Sequence, residues 1–206
     1  MQISKLTPSK RARDRWMLQL EDGSFLQVGK NQMADFALYA GRELSEAELE
    51  ALRRAERQDR FQSYAIRALM DTPMSRRKLV EHLRRKECPE AEAQAIAQRM
   101  AELGILNEAW YAAEVARQYA ARGYGPRRVQ DEPYRRGVPR EYWGEALQAV
   151  EDWQEGLNAI LRKKLGGTLP DPKALKRVSD ALARRGYAWR DINVALRRYG
   201  AEIEEE

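Results

Sequence analysis

Arg122-Gly-Tyr-Gly-Pro-Arg-Arg-Val-Gln-Asp-Glu-Pro-Tyr-Arg-Arg-Gly-Val-Pro-Arg140 decides the fold, because its pattern occurs before and after it. Residues 75–100 set over 125–150, a shift of 50, put Arg77 on Arg127, Lys78 on Arg128, Leu79 on Val129, Arg85 on Arg135, Lys86 on Arg136, Cys88 on Val138 and Pro89 on Pro139. A further shift of 49 reaches Ala174, with Val178 on Val129, Arg184 and Arg185 on Arg135 and Arg136, Gly186 on Gly137, and Tyr187 on Val138. Three copies at one period predict a helical repeat array. No single unit buries its apolar face well, and stacked neighbours share a core.

Working outward, the first copy is predicted to have helices near Phe61 to Asp71, Ser75 to Lys86 and Pro89 to Leu103, closed by Gly104. Ser75 is a good N-cap, and Pro89 stands where a first helical turn accepts proline. The second opens at Leu106-Asn107-Glu108, runs to about Arg122, turns at Gly123 and Gly125, and restarts at Pro126 and Pro139. The third has helices near Glu151 to Leu165, Pro172 to Arg185 and Trp189 to Tyr199. Gly166-Gly167 closes the first of these, and Leu169-Pro-Asp-Pro172 makes the longest connection. Ahead of the array, a strand is predicted over Gln2 to Leu6 and a hairpin around Asp22-Gly23, with Trp16, Leu18 and Leu20 alternating before the turn. A lone hairpin is marginal in water, so it must lie on something. Helices follow over Asn31 to Ala40 and from Ser45, where Glu48 completes a capping box and Leu49 and Leu52 form the apolar face. The fold class is thus mainly α. The expected organisation is an N-terminal hairpin-plus-helix region over 1–57, three-helix units over 60–106, 107–151 and 152–200, and a frayed acidic tail over 201–206.

Composition narrows the function. Of the 206 residues, 43% are apolar and 33% charged, which suits an extended molecule with much surface per residue. From Arg117 to Arg140, seven arginines face only Asp131 and Glu132. Such a stripe favours a polyanion or an acidic protein groove as partner, with a solvated helix surface as the plain alternative. One cysteine, Cys88, cannot form an intramolecular disulfide, and its alignment with Val138 and Tyr187 predicts a small buried hydrophobe. The single histidine, His82, is predicted on an exposed helix face; one His with one Cys excludes a Cys/His zinc cluster. No secretory signal or membrane-length apolar run is present in the chain, so a cytoplasmic protein is expected.

Catalytic motifs are not found. Gly123-Tyr124-Gly125 lacks the third glycine, the preceding strand and the Lys-Ser/Thr pair of a phosphate loop, and reads as a helix C-cap and turn. Asp131 and Glu132 are adjacent, so on a helix they point about 100° apart and do not form a shared acid/base pair. The candidate binding residues are the recurring arginines Arg76, Arg77, Arg84, Arg85, Arg122, Arg127, Arg128, Arg135, Arg136, Arg140, Arg184 and Arg185, together with Tyr124. Guanidinium groups pair bidentately with phosphates and carboxylates. Tyr119, Tyr134, Tyr142 and Trp143 are interleaved with them, and at helical spacing they read first as core.

Gly123-Tyr-Gly-Pro-Arg-Arg-Val followed by Arg136-Gly-Val, the Leu106-Asn-Glu-x-x-Tyr-Ala112 stretch, Leu182-Ala-Arg-Arg-Gly-Tyr-Ala-Trp-Arg-Asp-Ile192 and Ser75-Arg-Arg-Lys-Leu79 together resemble the RecX family, bacterial regulators of the RecA recombinase. The resemblance covers residues 60–200 well and the hairpin region loosely. It implies a curved, monomeric array of three three-helix repeats that lies in the groove of the RecA–DNA filament. There it would limit filament extension, ATPase and strand exchange, with a place in DNA repair, homologous recombination and the SOS response. It implies no catalytic residues, metal or cofactor, and in some members direct DNA binding. Two positions depart from the pattern. Pro133 stands where leucine is usual, which predicts a kink near Gln130. Glu87 stands where the other copies have Gly137 and Gly186, which predicts a different turn in the first unit. Two rival readings remain: a direct, non-specific DNA-binding repeat protein, and an inert helical scaffold.

Overall fold

The computed structural model describes residues 1–10, 13–166 and 171–205, with side chains described up to 200. The expected closure at Gly167 and residues 169 and 170 of the expected 169–172 connection fall outside the described residues. Three antiparallel strands, β1 (Ile3–Pro8), β2 (Arg15–Leu20) and β3 (Phe25–Gly29), form a sheet in the order β1-β2-β3. Trp16 pairs with Val28 and Leu18 with Leu26, so the expected alternation sets the register. Gly23 at the hairpin turn has a φ of +81°, a conformation open to glycine without penalty.

Then come α1 (Lys30–Asp35), α2 (Glu46–Asp71), α3 (Arg76–Arg84), α4 (Glu90–Glu102), α5 (Glu108–Ala121), α6 (Pro126–Val129) and α7 (Asp131–Arg135). A 3-10 turn (Arg140–Tyr142) leads into α8 (Trp143–Gln148), followed by α9 (Trp153–Leu165), α10 (Pro172–Arg184) and α11 (Trp189–Glu205). Chain contacts divide these into two compact units, one of Met1–Ala68 with Leu83–Ile96 and one of Leu69–His82 with Ala97–Glu206.

In the first unit, Ile3, Leu18, Leu20 and Val28 of the sheet are buried with Leu38, Leu44, Leu49 and Leu52. The hairpin therefore lies on the start of α2, and Arg15 adds an ion pair with Asp59 and a 3.0 Å hydrogen bond to Ser63. The capping box is present: Ser45 Oγ accepts from the Glu48 N–H at 3.2 Å, and Glu48 Oε2 accepts from the Ser45 N–H at 2.8 Å. Two expected helices differ. The segment predicted over 31–40 stops at Asp35, because Ala37 takes a positive φ of +44°. The break expected between 57 and 61 is absent, and α2 runs 26 residues without interruption. Its hydrophobic positions Leu49, Leu52, Phe61, Ala65 and Leu69 are all buried, so one apolar stripe serves the whole helix.

Within the second unit, Ala112 and Ala116 of α5 pack with Val129, Val138 and Ala146, surrounded by Tyr111, Tyr119, Tyr124, Tyr142 and Trp143. Leu157, Leu161 and Leu165 of α9 pack with Val178, Leu182, Tyr187, Ile192 and Tyr199 of the last two helices and their turn. Asn107 caps α5 by accepting from the Trp110 N–H at 2.9 Å, and Asp152 caps α9 by accepting from Gln154 at 2.6 Å. The last helix continues to Glu205, past the point where fraying was expected.

The repeat signature reappears as one turn built three times. Leu83, Pro133 and Leu182 each offer a carbonyl to the amide five residues on, at 3.2 Å from Cys88, 2.9 Å from Val138 and 3.2 Å from Tyr187. The three residues that donate these amides are buried alike, at 4%, 4% and 3% exposure, so Cys88 has the packing role the alignment predicts. Burial, and then the Glu92 carboxylate, push the Cys88 thiol up to about 11. His82 is half-buried rather than exposed. The expected break at Pro133 is found at Gln130, between α6 and α7, yet Gln130 itself stays helical at φ −57°, ψ −29°. Proline has no N–H to give the Val129 carbonyl, so the ladder loses a bond while the backbone keeps its course.

Glu87 departs from expectation. It makes the same left-handed turn as its glycine counterparts, at φ +65° against +75° for Gly137 and +92° for Gly186. An L-residue in that region costs about 1 kcal/mol. Glu87→Gly is therefore expected to stabilise the fold by about 1 kcal/mol, read as a higher urea midpoint.

Candidate interaction surface

The arginine pairs fall into two structural kinds. In three of the cation pairs, Arg85-Lys86, Arg135-Arg136 and Arg184-Arg185, the second member lies over a tyrosine ring. Lys86 lies 5.6 Å from the Tyr64 ring centre, Arg136 5.8 Å from Tyr119, and Arg185 5.4 Å from Tyr124. Arg136 Nη1 also donates to Tyr111 Oη at 3.2 Å, and Arg185 Nη1 donates to the carbonyls of Arg122 at 2.9 Å and Gly123 at 3.2 Å. Burial works against the charge on Arg136, but Tyr111 and Tyr119 outweigh it and hold its guanidinium above the ordinary value. The first member of each pair, Arg85, Arg135 or Arg184, is exposed.

Arg136 and Arg185 belong to the junctions between units. Ser75 Oγ donates to the Arg136 carbonyl at 2.5 Å, and the Gly125 N–H donates to the Arg185 carbonyl at 2.8 Å. Ser75 and Gly125 are equivalent positions, as are Arg136 and Arg185, so the start of one unit's second helix seats on the closing turn of the next unit's second helix. At the first junction Arg77 Nη2 donates to the Arg135 carbonyl at 3.2 Å, and a Cβ on Gly137 would overlap the Arg77 guanidinium. At the second, a Cβ on Gly186 would overlap the Arg128 backbone, and one on Gly125 would stand 2.6 Å from the Gly186 carbonyl carbon. The glycines at 137 and 186 thus answer both a left-handed turn and a close neighbour. Glu87, the equivalent position in the first unit, is exposed, so its side chain stands in solvent.

The remaining candidates sort as follows. The Arg76 N–H donates to Glu108 Oε1 at 3.0 Å, while its Nε is buried without a hydrogen-bond partner among the described residues. Arg84 pairs with Glu90 at 2.8 Å, and Arg135 with the buried Glu132 at 3.4 Å. Arg122 lies over Tyr119 at 5.7 Å, and Tyr124 packs against the same ring at 5.5 Å. Arg85, Arg127, Arg128, Arg140 and Arg184 are exposed, and none has a side-chain partner among the described residues. Sequence reasoning did not assign the stacking of Lys86, Arg136 and Arg185, because their tyrosines come from other parts of the chain at no fixed offset. Among the described residues, no group of three or more His, Cys, Asp or Glu could hold a metal ion, and no helix is long and apolar enough to cross a membrane.

Helical units closed by left-handed turns, with exposed arginines that have no side-chain partner among the described residues, define a helical-repeat protein. The family model described as "RecX, second three-helix domain" matches residues 107–147. Regulatory protein RecX of Thermobifida fusca is 31% identical over 154 residues, covering 70% of this chain and 83% of that one. The same-named protein of Streptomyces coelicolor is 32% identical over 153 residues, covering 72% and 80%. A crystal structure of regulatory protein RecX superposes with a TM-score of 0.69 at 21% identity, over 100% of this chain and 99% of that one. That of RecX from Lactobacillus salivarius gives 0.60 at 15% identity, over 70% and 97%. The chain belongs to the RecX family. Its role is accordingly regulatory, in a family named for regulation and not for catalysis.

Proposed function

We propose that this chain is a non-enzymatic negative regulator of RecA that docks in the groove of the RecA–DNA filament and inhibits its extension, ATPase and strand exchange. The observation that carries the reading, beside family membership, is the set of exposed arginines without side-chain partners, Arg85, Arg127, Arg128, Arg140 and Arg184. Exposed charges steer association with an acidic partner and cost little in the free protein. Arg77, Arg136 and Arg185 act differently in this reading: they hold consecutive units in register and so fix where the exposed group stands. The units over 60–106, 107–151 and 152–200 would work together as one monomer in the cytoplasm.

The alternative is a direct, non-specific DNA-binding repeat protein, since the same arginines suit phosphates. Co-sedimentation separates the two. With RecA filaments on single-stranded DNA, binding is expected to survive at a salt concentration where bare DNA no longer retains the protein. If both affinities fall together along one steep log–log line, counterion release from DNA accounts for the binding and the alternative takes its place.

A further inference from the structure

Tyr134 is 67% exposed, the most exposed tyrosine on the arginine-rich central unit. Its ring is not loose. It meets Trp143 edge-on with ring centres 5.9 Å apart, and the Trp143 indole N–H is anchored on the Val138 carbonyl at 3.0 Å. One side of an aromatic ring is thus held against the protein while the rest is given to solvent.

The helical backbone at Gln130 makes the run from Pro126 to Arg135 follow one helical course despite the missing Pro133 bond. At about 100° per residue, Arg127, Gln130 and Tyr134 then share one face, with Arg128 and Arg135 beside it. Burial agrees: Val129, Glu132 and Pro133 are buried, while Arg127, Arg128, Gln130, Asp131, Tyr134 and Arg135 are exposed. The stripe reads arginine, amide, tyrosine along about 10 Å of helix. In the same order these groups suit a phosphate, a base edge and a base face. Asp131 is the one acid on this face, and it can accept from a base amino group while opposing phosphates.

We propose that this face is a base-stacking site for single-stranded nucleic acid, with Tyr134 as the platform and Arg127, Arg128 and Arg135 as phosphate partners. Duplex DNA hides its base faces, so the site selects single strands. The inference rests on the direct DNA-binding reading and deepens it with a base-stacking residue, and it can fail while the recombinase reading stands.

The test is fluorescence anisotropy with a labelled oligothymidylate of about 20 nucleotides, longer than one such site requires. Tyr134→Ala is expected to weaken binding roughly 10-fold while leaving the slope of log affinity against log salt unchanged, because stacking releases no counterions. Tyr134→Phe should bind like the parent, and Tyr134→Leu, which keeps bulk without a ring, like the alanine variant. Arg127→Glu should both weaken binding and flatten the slope. Equal affinity of the parent and the alanine variant would overturn the proposal, as would equal affinity of the parent for single strand and duplex. A loss by Tyr134→Ala confined to the RecA filament would also overturn it and make Tyr134 a protein contact. Inhibition of RecA retained in that variant leaves the regulatory reading standing.

Discussion

Arg127→Glu, Arg128→Glu, Arg135→Gln and Arg140→Glu combined are expected to abolish inhibition of RecA while leaving the circular dichroism spectrum and urea midpoint essentially unchanged. All four side chains are exposed; the one with a side-chain partner, Arg135, pairs with the buried Glu132 at 3.4 Å, so it is neutralised rather than reversed and no second carboxylate is set there. Exposed charges contribute about 1 kcal/mol or less each to stability, so the fold should tolerate these changes. At an acidic partner the three reversals convert attraction to repulsion and Arg135→Gln removes a fourth attraction. At about 1 kcal/mol each, apparent affinity should fall at least roughly 100-fold. Arg136→Glu should behave in the opposite way. It would strip the Tyr111 hydrogen bond and the Tyr119 stack and set a second carboxylate beside Glu132, so stability falls first and inhibition falls with it. Inhibition at parental strength by the folded quadruple variant would remove the exposed arginines from the partner surface.

Gly186→Ala is expected to destabilise the second compact unit by about 3 kcal/mol or more. Alanine at φ +92° costs about 1–2 kcal/mol, and its methyl would overlap the Arg128 backbone, which cannot move aside as a side-chain tip can. Gly144→Ala is the control. It lies within α8 with nothing within 4 Å of an added Cβ, so helix propensity should make it stabilising by about 0.8 kcal/mol. Opposite signs for the same chemical change, read as urea midpoints, would isolate the junction as the cause. A neutral Gly186→Ala would mean that the units do not meet as described.

Much of this architecture was legible because the repeat carries its own internal comparison. The period of the arginine pairs and the matching of Cys88, Val138 and Tyr187 pointed to a helical repeat with equivalent buried positions, and the backbone hydrogen bonds close all three copies with one turn. Ser45 with Glu48, Asp22-Gly23 and Pro133 were equally readable, since each acts within a few residues of itself. What was not readable depends on partners far along the chain. Glu87 was expected to need another turn, because the alignment shows a missing glycine but not that glycine's second purpose, room for the preceding unit. The arginines look alike as letters. Only the fold separates Arg136 and Arg185, committed to tyrosines and carbonyls, from Arg127 and Arg128, which remain in solvent. The unbroken α2 shows the same limit: several apolar clusters on one helix read as two helices when the surface they cover is unknown.

The most direct measurement of the central claim is RecA ATPase on single-stranded DNA, titrated with this protein from far below one molecule per recombinase monomer. Strong inhibition at such substoichiometric amounts is predicted, because a regulator that recognises the filament need not cover the DNA. Inhibition that begins only when the DNA itself is saturated would contradict the account and leave competition for DNA as the explanation.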